Sequence, residues 1–524
     1  MPGFDNFTSF GSEAIQRFKK DAARAFGAQM DKNRLDAARA RLEAKAAQGD
    51  VEALKSLGLL YLTGAFGDAN RGRAFPLLDR AAATGDPDAL HYFSACWSVG
   101  IGCERNERKG LELCARAAKL GCVRAIIDMG ISYSEGHGVP KDPVKAARCF
   151  QLAVDKGSGD ACGELAHCYL FGEGVAKDSA KAKQLLELGV ERGSGHCAHN
   201  LGVGYLKCEW SEEPDFARAR DCFERSCALG GRAYYDLAMM CLQGIGIPID
   251  YHKGLNVLKR GAEADDPESL VELGKLYIRN DDVWQKIYDP AEGYRCLLRA
   301  CELGYAPAFM ICADLYEEGC GVPSDPARAV KVLEMGVEHN DAESAFRLGV
   351  YYEGGQNGLR QDSKRALELF ELAFENGSPD AAAYLGSSYK NGDGVPQDVA
   401  RALRYLTVGA EMGSGACLYE LATCYADGIG VPEDRDKYIK LLFEAADRDF
   451  PLAVGEIGMS YFDGYPGFEK DYEEAVDYLE RAVELGLDEC LPTLAKCYQK
   501  GLGVEKDKSK AKELLRRAKE AGVE

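Results

Sequence analysis

No stretch of this chain approaches the run of about 20 apolar residues that a membrane-spanning helix requires. The opening residues, MPGFDNFTSFGSEAIQRFKK, have no basic segment leading into an apolar core, so no secretory leader is expected. Acceptor triplets at Asn6 (NFT) and Asn376 (NGS) then read as chance matches, and a cytoplasmic location is the expectation. Basic charge is also short. The 64 Lys and Arg stand against 84 Asp and Glu, a formal net charge of −20, so a nucleic-acid partner is not expected. The sequence has no HExxH, no P-loop, no nucleophile elbow and no CxxC pair. Their absence argues against a zinc protease, a nucleotide enzyme, a serine hydrolase or a zinc ribbon, and no cofactor is expected. Tryptophan is scarce, with three residues in 524.

Glycine is plentiful, and its placement decides the fold. GHGVPKD from Gly136 looks in isolation like a loop that cradles phosphate. The pattern recurs at Gly172, Gly319, Gly392, Gly428 and Gly501, with looser copies at Gly100 and Gly244. Each copy follows a helix-like segment instead of an apolar β-branched run, so the glycines end a helix and turn the chain. The residue before the loop sets the period: Tyr61, Trp97, Tyr133, Tyr169, Tyr205, Cys241, Tyr277, Tyr316, Tyr352, Tyr389, Tyr425, Tyr461 and Tyr498. Their spacing is 36 residues, with one step of 39 and two of 37. A fixed period in this range means a solenoid. Thirteen repeats run from Asp50 to Gly522, and each reads as two amphipathic helices. Asp or Asn opens every second helix, from Asn70 and Asn106 through Asp142 to Asp507, where a short acceptor caps the free amides. Asp50, Asp86, Ser158, Ser194, Asp266, Asp341, Ser378 and Ser414 do the same for first helices.

The pattern A-x3-L-G-x2-Y-x2-G-x-G-V-x2-D-x3-A fits Ala381, Leu385, Gly386, Tyr389, Gly392, Gly394, Val395, Asp398 and Ala402. These residues resemble the Sel1-like repeat (SLR) family, relatives of the tetratricopeptide repeats. The resemblance covers about nine-tenths of the chain. It implies an all-α, right-handed α/α superhelix of about thirteen 36-residue helix-turn-helix repeats at residues 50–522. It also implies a non-enzymatic scaffold that binds a protein or peptide, with no shared catalytic residues.

Residues 1–49 stand apart as a capping segment. An amphipathic helix is expected over 12–30, with Ile15, Phe18, Ala22 and Phe26 on one face. It covers the first repeat, or docks a partner or a membrane surface. Three repeats depart from the turn pattern, at Lys207, Arg279 and Gly354, and two of these irregular loops hold Trp210 and Trp284. Insertions in solenoids often carry binding, and the competing reading is that each ring packs over its own turn.

The twenty cysteines matter because a secreted SLR branch pairs one in the Ala-Ala slot with one eight positions on, and that branch is linked to β-lactam binding or hydrolysis. Here Cys227 and Cys301 would face Tyr235 and Phe309, and Cys162 would face Val154. Cys114 and Cys122 have the spacing but the wrong register. The framework is broken, and free thiols packed as small apolar groups are expected.

On one face of the first helices lie His91, His167, His196 and His199. His167, His196 and His199 are weak candidates for a transition-metal site, with polar groove lining as the alternative. In later repeats the same face carries Tyr235, Met310, Phe346 and Tyr419. These form a candidate apolar track for a helix or extended peptide with basic flanks.

Overall fold

The computed structural model describes residues 32–280 and 283–523, and among them there are 27 α-helices, three short 3-10 turns and no strand. The predicted helix over 12–30 lies outside the described residues. Contacts divide the chain into two units, Met1–Gly261 and Ala262–Glu524. In each unit the two helices of a repeat pack on one another, and a second helix packs on the first helix of the next repeat. The chain is an α/α solenoid.

Repeat ten shows why this sequence folds this way. Ser378 accepts the Ala381 amide at 3.3 Å and Pro379 follows it, so the helix Pro379–Asn391 starts with a filled cap. Gly392 at φ 82° stops it in the left-handed conformation and Gly394 at φ 73° turns the chain. Asp398 then accepts the Arg401 amide at 3.0 Å and opens the helix Val399–Glu411. All eight predicted first-helix caps make this bond. Among second helices the prediction holds for the Asp or Asn of repeats two to thirteen. It fails in the first. Asn70 lies inside the 3-10 turn Asp68–Arg73, its amide donates to the Phe66 carbonyl, and the helix Ala74–Ala82 begins without a side-chain cap.

A second device closes the loops. The backbone N–H of the second-helix cap donates to the carbonyl of the aromatic-slot residue, for example Asp142 to Tyr133 at 2.7 Å and Asp398 to Tyr389 at 2.9 Å. The same bond closes the irregular loops, as Asp215 to Tyr205, Asp289 to Tyr277 and Asp362 to Tyr352. It explains why both slots keep their place while the residues between them change. In some repeats the second glycine is also fixed by close approach, as at Gly174 and Gly503. A Cβ at Gly174 would lie 2.0 Å from the Pro143 carbonyl oxygen, so the loop sits on the first turn of the preceding second helix.

The core of a repeat is one size-matched pair. A small residue three positions before the aromatic slot faces a large one eight positions after the second-helix cap. Phe occurs only opposite Gly, as Gly130 with Phe150, Gly202 with Phe223 and Gly349 with Phe370. Where the small residue is Ala, as at Ala166, Ala238, Ala313 and Ala422, the partner is Leu186, Leu258, Leu333 or Leu442. All seven of these large residues are buried, at 0–2% exposure. Gly also faces Leu, as at Gly58 with Leu78 and Gly386 with Leu406, so the one combination that close packing excludes is Ala opposite Phe.

The helix Lys32–Ala47 takes the position of a second helix ahead of repeat one. Leu35 and Leu42 pack on its core with Ala46 buried. Tyr61 donates to Glu43 at 3.2 Å, and Arg80 donates to the Ala46 carbonyl at 3.2 Å.

Candidate partner-binding surface

The first helices carry the residues that packing within a repeat does not use up. In the second unit these helices are joined to their neighbours by polar contacts. Arg347 on the helix Ala342–Gly354 reaches back to Asp314 and to Glu317, the latter at 3.0 Å, and also donates to Tyr351 at 2.6 Å. Tyr351 in turn donates to Glu317, Tyr384 to Glu353, and Lys390 to Glu420. Tyr438 donates to Glu456 at 2.6 Å. Burial, with the neighbouring carboxylate adding to it, pushes the phenols of Tyr384 and Tyr438 well above the usual range and Tyr351 up to about 12. These hydroxyls stay protonated and donate. The acidic residues of this face are therefore partly spent on holding repeats in register. Nothing in the spacing of one repeat signals such pairs, because the partners are 30–34 residues apart.

Within this frame Phe346 and Tyr419 are half-buried. Phe346 lies 5.5 Å from the Phe370 ring, and Tyr419 lies 5.5 Å from Phe450. Met310 and Tyr235 are also partly exposed. All four sit on first helices, as expected, and the rings of Phe346 and Tyr419 are anchored by packing behind them.

The loop tryptophans are placed differently from a free binding loop. Trp210 folds back on its own repeat, so that a Cβ at Gly204 would lie 2.2 Å from its indole nitrogen. Trp284 is buried, at 7% exposure. The Trp210 ring thus covers its own turn, and Trp284 is withdrawn from solvent. Of the aromatic-slot rings, Trp97, Tyr133, Tyr169, Tyr389 and Tyr498 each have a Lys or Arg of the following helix over the face, Lys109 being 3.5 Å from the Trp97 centroid.

The three candidate metal histidines take separate partners. His167 stacks on Phe171 at 4.5 Å; burial lowers its pKa, and Glu173 offsets this only in part. His196 is exposed and lies 3.1 Å from the Asn200 amide. His199 Nε2 meets the Asp236 carboxylate at 2.8 Å. Among the described residues, the one group of three His, Cys, Asp or Glu donors close enough to share an ion lies elsewhere, at His91, Cys114 and Asp128. His91 was visible on the right face of its helix; Asp128 and Cys114 were missed because they stand 37 and 23 residues away. All twenty cysteines are free thiols and fifteen are buried, as expected of small apolar substitutes.

Helix pairs of fixed length, capped alike and stacked through one core pair, define a helical-repeat solenoid. The chain belongs to the Sel1 repeat family: thirteen copies match between residues 51 and 523, the first at 51–86 and the last at 494–523. Among solved structures it is similar to a protective antigen of uropathogenic Escherichia coli with an SLR fold. That similarity is at 21% identity, over 84% of this chain and 94% of the antigen, with a TM-score of 0.42. A Sel1 repeat protein from Oxalobacter formigenes shares 25% identity over 49% of this chain and 99% of its own, with a TM-score of 0.41. An immunity protein from Pseudomonas aeruginosa shares 21% over 49% and 81%, with a TM-score of 0.29. No helix among the described residues is long and apolar enough to cross a membrane.

Proposed function

We propose that this protein is a non-enzymatic scaffold that holds a protein or peptide partner on its first-helix face. The observation that carries this reading is the set of half-exposed apolar side chains, Tyr235, Met310, Phe346 and Tyr419, on first helices of a chain whose formal net charge is −20. Apolar anchors supported from behind lose little side-chain entropy on binding, and surrounding acid favours a partner with basic flanks. The Sel1 repeat fold is commonly used for protein–protein interaction, which agrees. Trp210 and Trp284 remain secondary candidates, because the first ring packs on its own repeat and the second is buried. The β-lactam reading is disfavoured because no disulfide is formed and the branch's slots lack their mates, Tyr235 standing opposite Cys227 and Phe309 opposite Cys301. Free buried thiols also suit a reducing compartment such as the cytoplasm. Residues 50–522 form the binding array, and residues 1–49 cap it.

The experiment is affinity purification with mass spectrometry from the native cell, comparing the wild type with Phe346→Ala/Tyr419→Ala. Selective loss of one partner set, with helicity retained, is expected. A variant that keeps every partner refutes the first-helix site and moves attention to the Trp210 and Trp284 loops.

A further inference from the structure

Repeat two departs from the array at two positions that share one location. Eight residues after the second-helix cap, every other repeat has Leu or Phe: Leu78, Phe150, Leu186, Phe223, Leu258, Leu297, Leu333, Phe370, Leu406, Leu442, Leu479 and Leu515. Repeat two has Cys114, fully buried on the helix Glu107–Lys119. The start of the next first helix, where Asp or Ser caps most repeats, has Cys122, which makes no side-chain cap bond. Both substitutions exchange a residue with an evident structural task for a thiol.

The heads of His91 and Asp128 converge on the same place. His91 comes from the helix Pro87–Val99 and Asp128 from Val123–Glu135, and His91 Nε2 lies 2.7 Å from Asp128 Oδ2. The donor atoms of His91, Cys114 and Asp128 all lie within 4.8 Å of one another. Cys122 is in hydrogen-bonding reach of the same ring and lies 3.4 Å from Asp88. His91 and Asp128 are 2% and 4% exposed. Among the described residues the other buried carboxylate is Asp266, which is a helix cap. The His91–Asp128 pair lies within two helices and caps neither. A desolvated ion pair adds little stability of its own, so its burial needs another reason. Burial alone would lower the His91 pKa, but its bonds to Asp128 and Cys122 raise it to about 9.

We propose that His91, Cys114 and Asp128, with Cys122 as the fourth donor, form a closed binding site for a zinc-class transition-metal ion between repeats two and three. Imidazole, thiolate and carboxylate together suit zinc and exclude the all-oxygen preference of calcium and magnesium. Tetrahedral zinc places its ligand atoms roughly 3.3–3.8 Å apart. The site reaches that spacing if His91 and Asp128 part and Cys114 moves inward. Binding releases protons to solvent: one from each thiol, and the one shared by His91 and Asp128. The ion ties three helices of two repeats and carries no open coordination position for chemistry.

The test uses the full chain, stripped of metal by a chelator under reducing conditions. Zinc alone is titrated against a chromophoric chelator, and cobalt is titrated in parallel for its sulfur charge-transfer absorption. One equivalent of zinc, a raised thermal midpoint and a thiolate–cobalt band are expected. Cys114→Ser and Asp128→Asn should each weaken zinc binding at least about tenfold, while His199→Ala should leave it unchanged. Wild-type protein that takes up no stoichiometric zinc overturns the proposal and leaves a plain buried ion pair. Binding that survives Cys114→Ser with its cobalt band intact also overturns it, by placing the ion elsewhere. If a variant misfolds, the wild-type stoichiometry and cobalt spectrum still decide.

Discussion

Gly349→Ala tests the size-matched core directly. An added Cβ would lie 2.7, 2.9 and 3.1 Å from three ring atoms of Phe370. That ring is 1% exposed and is held by Phe346 at 5.5 Å and Tyr384 at 4.2 Å, so it cannot swing aside. Overpacking of this kind costs about 1–3 kcal/mol. Replacing a mid-helix glycine returns about 1 kcal/mol. The net expectation is a loss of about 1 kcal/mol in the helices Ala342–Gly354 and Ser363–Glu375. Phe370→Leu alone leaves a void opposite Gly349 and should cost about 1–2 kcal/mol, a fraction of full truncation. Together the two changes recreate the Ala–Leu pair found in five other repeats. The double variant should therefore be more stable than either single one, with a favourable coupling of about 1 kcal/mol or more. A long array does not unfold as a two-state unit. The readout is consequently hydrogen exchange of peptides from 342–375 in the full chain, which reports local opening. Additive single effects, within about 0.5 kcal/mol, would refute steric matching as the reason for the pairing.

Other expectations follow from single contacts. Intact mass after blocking and unfolding should count twenty modified thiols, and reductant should not move the thermal midpoint; several intact disulfides would contradict the free-thiol reading. Asp398→Ala should cost about 1 kcal/mol in local exchange at the helix Val399–Glu411, as loss of an N-cap does. Burial would raise Glu480, but bonds from Lys510 and Tyr498 hold its pKa below the usual carboxylate value. It therefore contributes stability above the ordinary carboxylate range and loses it as pH falls through its lowered pKa. Glu480→Gln should flatten that acid loss in exchange from the last repeat, and an unchanged acid limb would show the pair to be inert.

The repeat architecture was legible because each repeat states it again: the aromatic slot, the glycine pair and the cap residue return with one period. The free thiols were legible for the same reason, since a paired branch would show its pairs thirteen times over. What stayed hidden depends on how one repeat sits on the next. His91 and Asp128 meet across 37 residues, and Arg347 and Glu317 across 30, with no local spacing to announce them. Trp284 shows the opposite failure. A rare aromatic in an irregular loop resembles an exposed anchor, yet this ring is buried. Asn70 matched a cap in sequence, but the 3-10 turn around it moved the helix start four residues on.

The hydrogen bond from the second-helix cap to the aromatic-slot carbonyl, made in repeats two to thirteen, works as a buckle. It fastens the two ends of a loop to one another, so the loop's length no longer sets the pitch of the helices on either side. Repeat seven shows the effect: three residues beyond the common period are taken up as slack between Tyr277 and Asp289, and the bond still forms at 2.9 Å. One edge of the molecule can therefore gain, lose or exchange loop sequence with little effect on the helices. New recognition can arise there while the array keeps its own folding.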